Sequence, residues 1–196
     1  LSTSKDLRDG VRGAYSAVAE DPQGSHPFSV GRGFAESLGY SPRQLARLPA
    51  VSVEAFTGVS NIAVTAEIPP GATVLDLGCG AGLDSLVAAA KAGPGGKVIG
   101  VDFSASMLGR ARQGASEAGL LNIEFVEADA EHLPLPDASV DVALVNGIFN
   151  LNPTRDAIFH ELARVVRSNG VVFAAELILR GPANQPGTPD EANWFA

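Results

Sequence analysis

The sequence has a single cysteine, Cys79, so no disulfide can form within the chain. A cytoplasmic location is the expectation that follows. Basic residues are scarce: 14 Lys and Arg stand against 22 Asp and Glu, a formal net charge of −8. That balance argues against a nucleic-acid partner, whose phosphates call for a basic face. No apolar run approaches the length of a membrane span, and no signal-peptide pattern opens the chain. No group of His, Cys and carboxylate residues has metal-ligand spacing, so no metal site is expected. No G-x-S-x-G elbow announces a nucleophile. Internal repeats and low-complexity tracts are also missing. What remains is a chain of 196 residues, 45% hydrophobic, suited to one globular domain with a small N-terminal addition. It opens on Leu rather than Met, as expected of a processed or trimmed chain.

The chain is organised around VLDLGCGAGLD, Val74 to Asp84. Val74, Leu75 and Leu77 read as a buried strand that Asp76 interrupts near its end. Gly78, Gly80 and Gly82 follow at alternate positions, then the helix formers of LDSLVAAAKA. Glycines let the backbone take left-handed angles and approach a ligand, while the helix start offers free N–H groups. The spacing is G-x-G-x-G, not the G-x-G-x-x-G of dinucleotide folds. The next strand, KVIGVD, ends in Asp102, about 20 residues past the loop, where a ribose-binding carboxylate belongs. Ser104 is the better cap for the following helix, which frees Asp102 for a ligand.

From Thr73 onward strands and helices alternate. Strands are expected at 73–77, 97–101, 122–127, 140–145 and 170–176, and helices at 83–92, 104–118 and 153–167. The last helix has Asn152 as its expected cap, Pro153 at its first position and Asn169-Gly170 as its stop. The alternation implies an α/β fold, a mainly parallel doubly wound sheet of Rossmann-like kind. Before it, residues 4–20 read as an amphipathic helix and 21–33 as irregular. Ser41-Pro42-Arg43-Gln44 carries a capping box, opening a helix that ends near Leu48. Residues 54–63 read as a loop leading into a helix. Residues 1–63 are expected to be an N-terminal helical lid and acceptor segment, and 64–196 the ligand-binding core. The stretch from Leu177 to Ala196 reads as loop, with a turn of helix near Asp190.

The glycine loop, with an acid two residues before its first glycine, resembles motif I of the class I S-adenosylmethionine (SAM) methyltransferases. That resemblance implies SAM as cofactor, with Gly78, Gly80 and Gly82 packed against its amino-acid part. Asp76 is then placed to take the ligand's ammonium, and Asp102 the ribose hydroxyls. Phe103 and Met107 resemble the apolar residues that flank the adenine; core packing is the other reading of both. Asp129, followed by Ala130, matches the acid that accepts from the adenine amino group, with Glu131 as its rival. Asn146, ending the fourth strand, would face the methyl-bearing sulfur and the acceptor, or else simply form a turn. Tyr15 matches an N-terminal tyrosine that approaches SAM, with packing as the alternative.

Other segments resemble the arsenite methyltransferase branch. They include PFSVGRGFAESLGYSPRQLARLP, VSVEAFTGVSNI, SVDVALVNGIFNLNPTR and ELARVVRSNG, spread over most of the chain. That branch holds trivalent arsenic with cysteine thiolates. At two of those cysteine positions this chain has Val59 and Gly147, and a third would fall past Ala196. Family members also continue beyond the fifth strand, so C-terminal strands are expected to be missing here. The expected function is methyl transfer from SAM to a small-molecule acceptor. An arsenite methyltransferase-like enzyme and a non-catalytic SAM-binding module are the alternatives, and the sequence implies no oligomeric state. His26 reads as a surface residue that could serve as a base, His132 as lining or covering the adenine side, and His160 as structural.

Overall fold

The computed structural model describes residues 4–178. Five helices come first: α1 (Ser4–Glu20), α2 (Arg32–Ser37), α3 (Pro42–Leu45), α4 (Ala50–Glu54) and α5 (Ile62–Thr65). Alternation then sets in, with β1 (Thr73–Leu77), α6 (Leu83–Ala92), β2 (Lys97–Asp102), α7 (Ala105–Glu117) and β3 (Ile123–Glu127). The described residues end with β4 (Val140–Asn146), α8 (Arg155–Val165) and β5 (Val166–Ala175). The strands pair in the order β3-β2-β1-β4-β5, every pair parallel. Strand order therefore reverses between β1 and β4, and their carboxyl ends frame the crevice where such sheets bind ligands.

Side chains alternate across the sheet and bury both of its faces. On one face Leu75, Leu77, Ile99, Val101 and Val145 pack against Ile158, Leu162 and Val165 of α8. On the other, Val74, Val98, Val142 and Leu144 meet Ala88, Ala89 and Ala92 of α6, with Ala63 and Ala66 beside them. Each fully buried Leu or Val contributes about 1.5–3 kcal/mol, so the central strands are the rigid floor of the molecule. A smaller cluster joins Val18 and Ala19 of α1 to Ala55, Ala81 and Met107. This seats the N-terminal helix over the carboxyl end of the sheet.

The glycine-loop unit takes the expected form, with β1 at 73–77 and α6 at 83–92. Ser41 makes the expected capping box with Gln44, and Ser104 caps α7 by accepting the Met107 N–H at 3.3 Å. The last helix departs from expectation at both ends. Its N-cap is Thr154, not Asn152; the Asn152 carboxamide oxygen instead accepts the Thr154 N–H at 2.8 Å, a turn just ahead of the helix. Asn169-Gly170 does not stop it either. The helix ends at Val165, and Val166 is already strand, paired with Val140. Two adjacent β-branched residues favour that switch, and Asn169 sits inside β5 with φ +66°. No sequence cue announces α2, which has Gly33 within it and Gly31 and Gly39 on either side. Among the described residues β5 is an edge strand, with Val171 47% and Val172 41% exposed. The expected helical turn near Asp190 lies outside the described residues.

Candidate active site

One cavity opens at the β1–β4 switch point, enclosing roughly 1130 Å³ with its solvent-open mouth included. The glycine loop forms its base. Gly78 and Cys79 donate their N–H groups to the Val101 carbonyl at 2.8 and 3.0 Å, stapling the loop to β2. Gly78, Gly80 and Gly82 have φ of 75°, 51° and 81°, left-handed angles that favour glycine. A side chain at Gly78 would lie 2.4 Å from the Ile148 methyl group, and one at Gly82 3.0 Å from Ala111. At Gly80 nothing stands within 4 Å, so its bare backbone faces open space. The cradle is thus open at Gly80, while the Ile148 side chain packs against Gly78.

Carboxylates ring this base. Asp102 accepts the Gly80 N–H and the Ser104 N–H, each at 2.8 Å, one on each oxygen. Every carboxylate oxygen has a second lone pair, so both remain available to a ligand. Asp76 accepts the Ser85 hydroxyl at 2.5 Å. Asp84, in the first turn of α6, accepts the Tyr40 hydroxyl on one oxygen and the Asn146 amide, at 2.8 Å, on the other. All three acids are buried, and none forms an ion pair among the described residues. Burial is the main force raising each above the usual carboxylate range. Asp76, which also faces the charge of Asp84, is pushed up to about 8.

The far wall is held by Asn146. Its carboxamide oxygen accepts the Val59 N–H at 2.9 Å, and its amide donates to the Ser60 carbonyl at 2.9 Å. With its bond to Asp84, this side chain ties residues 59–60 to the start of α6. A Cβ at Gly147 would lie 2.9 Å from a Val59 methyl group. The two positions where the resembling branch carries thiols are thus neighbours here, and both lack sulfur. The roof is α1. Arg8 pairs with Glu131, which also accepts the Thr154 hydroxyl. Arg12 lies 3.7 Å from Asp129 and 5.3 Å above the Phe103 ring. Tyr15 stacks near Phe28, ring centroids 5.0 Å apart.

Of the residues singled out in the sequence, Tyr15, Asp76, Gly78, Gly80, Asp102, Phe103, Asp129, Ala130, Glu131 and Asn146 all line this cavity. Gly82 lies just behind it, as the N-cap of α6. Met107 does not reach the cavity: it is wholly buried against Val18, Ala55 and Ala81, so packing is its role. His132 is exposed and outside the lining, because its chain turns away after Glu131. His26 lies on the surface and donates its Nε2–H to the Asp21 carbonyl at 2.8 Å. Sequence reading passed over Asp84, Tyr40, Arg8 and Arg12. Only Asp84 carried a local signal, an acid two residues after Gly82 at a helix start. The other three act through contacts that join distant stretches of chain.

A family model described as a methyltransferase domain matches residues 68–182. The chain belongs to the methyltransferase-domain family. Its parallel sheet and glycine cradle are those of the class I, SAM-dependent members. The chain is 37% identical over 148 residues to an arsenite methyltransferase of Halobacterium salinarum, covering 76% of this chain and 38% of that protein. It is 36% identical over 123 residues to a demethylmenaquinone methyltransferase of Listeria monocytogenes, covering 62% of this chain and 49% of that protein. Among solved structures it resembles CrArsM, an arsenic(III) S-adenosylmethionine methyltransferase from Chlamydomonas reinhardtii. The TM-score there is 0.58 at 26% identity, over 76% of this chain and 50% of that one. The chain thus spans half or less of the length of each of these relatives. The residues present fit SAM as the family's cofactor: an open glycine cradle for its amino-acid part, and buried acids without cations for a cationic ligand.

Proposed function

We propose that this chain binds SAM in the switch-point cavity and transfers its methyl group to a small organic acceptor. The observation that carries the reading is the junction of Gly80 and Asp102. One carboxylate holds the cradle by the Gly80 N–H and keeps lone pairs turned to the same cavity. In this reading Asp102 accepts from the ribose hydroxyls and Asp76 faces the ammonium. Asp129 is the better partner for the adenine amino group, because Glu131 is already committed to Arg8 and Thr154. Phe103 supplies an apolar ring beside the adenine, while Tyr15 and Ala130 close the site above and beside it.

When bound, SAM supplies a methyl group already activated by its sulfonium. The protein's task is then alignment and exclusion of water, which needs no nucleophile motif. Residues 1–63 act as the lid and acceptor segment and 64–196 as the donor-binding core, and a cytoplasmic location suits the lone buried thiol. Two relatives named for arsenic favour an arsenite acceptor. The neighbouring Val59 and Gly147 oppose it, since soft As(III) prefers sulfur ligands. The test is methyl transfer from labelled SAM to arsenite with a thiol, to quinols and to a panel of small metabolites. Transfer to an organic acceptor, with none to arsenite, supports this reading. Transfer to arsenite alone would replace it, and SAM binding without transfer to any acceptor would leave a binding module.

A further inference from the structure

We infer that Asp84 is a second binding residue for the cationic end of the methyl donor, paired with Asp76, and that the donor enters this pair in exchange for a proton. The inference rests on the SAM-binding reading above and deepens it. Both carboxylates are buried and both line the cavity. They approach from different elements, Asp76 from β1 and Asp84 from the first turn of α6.

Their polar partners are neutral. Ser85 donates to Asp76, and Tyr40 and Asn146 donate to Asp84. Asp102 of β2, in the same cavity lining, adds to the negative field that raises Asp76, and burial holds the Cys79 thiol protonated. The cations of the roof are engaged elsewhere, Arg8 with Glu131 and Arg12 with Asp129. Two like charges in a dry site cannot both ionise without a cation, so the pair keeps one proton until a cation replaces it. Burial and the neighbouring acid push Asp76 up to about 8, consistent with a proton held at neutral pH. The exchange balances: one positive charge enters, one proton leaves to solvent, and no covalent bond changes. Tyr40 and Asn146 fix the direction in which Asp84 presents its oxygens.

The test is calorimetric titration of SAM into the full chain between pH 6.0 and 7.0, in buffers of different ionisation enthalpy. That range lies below the α-amino pKa of about 7.7–8.0, so the ligand's own ammonium does not titrate. The expected result is release of close to one proton per SAM bound, with affinity rising about tenfold per pH unit. Asp84→Asn should cut the release by at least half and flatten the pH dependence. Tyr40→Phe lies outside the cavity lining and guards against a folding failure of the first variant. By removing a donor that favours the charged carboxylate, it should make the pair hold its proton more tightly and so weaken SAM binding across pH 6.0–7.0 while keeping the one-proton slope. Tight SAM binding with no proton release would overturn the inference, as would Asp84→Asn or Tyr40→Phe behaving as the unmodified protein. Absence of SAM binding at any pH would instead overturn the SAM-binding reading itself.

Discussion

Gly78 and Gly80 sit two positions apart, both with positive φ, yet a methyl group would meet different surroundings at each. At Gly78 it would strike Ile148, adding overpacking of about 1–3 kcal/mol to a left-handed strain of about 1–2 kcal/mol. At Gly80 only the strain applies, because the space is open. Gly78→Ala should therefore lower Tm by several degrees more than Gly80→Ala, at about 2–4 °C per kcal/mol for a chain of this size. Gly80→Ala should keep the fold and lose SAM affinity instead, since its new methyl group projects into the cradle. Thermal melts with and without SAM check both. Equal melting temperatures for the two variants would contradict the packing described at Ile148.

At the scale of elements, Asn146 joins three pieces of chain through one carboxamide. Removing it in Asn146→Ala leaves the Val59 N–H without the acceptor it has now. Amide hydrogen exchange should quicken at Val59 by tenfold or more, while the amides of β1 stay protected. Unchanged exchange at Val59 would show that the wall is held by something else. This clasp explains why part of the site was hidden in the sequence. The strand, glycine loop and helix from Thr73 to Ala92 follow local rules, and their bounds were readable residue by residue. Tyr40 and Asp84 are 44 residues apart, and no local pattern announces that they meet. The α8–β5 junction failed for another reason. Helical periodicity carried through Val166 and Arg167, but pairing with β4 turned them into strand, and Asn169 adopted its left-handed angle inside that strand. Met107 matched a ligand-flanking position in the sequence, whereas the small residues Ala55 and Ala81 draw it into the core.

For the whole molecule, the buried acids make stability depend on pH in a direction opposite to that of ordinary ion-paired carboxylates. Asp76 holds its proton to about pH 8 when folded, but only to about pH 3.9 when unfolded. The folded chain therefore binds more protons than the unfolded chain between those limits, and its stability falls as pH rises through them. Glu161 works the other way. Its hydrogen bond with Arg164 brings it down to about 2, so its contribution is lost as pH falls below the ordinary glutamate range. The ligand-free protein should thus be most stable near pH 4–5, with Tm declining from about pH 5 to about pH 8. Saturating SAM should lessen that decline by placing a cation among the acids. A Tm that climbs over this interval without ligand would contradict the burial assigned to Asp76.

The most direct measurement is equilibrium binding of SAM to the full chain, beside the same titration of Asp102→Ala. Asp102 anchors the cradle and faces the proposed ribose position, through charged hydrogen bonds worth about 1.5–3 kcal/mol. One SAM should bind per chain, saturably, and the substitution should weaken it on the order of ten- to hundredfold. No binding at millimolar SAM, or equal affinity in the two proteins, would contradict the reading of this cavity as a methyl-donor site.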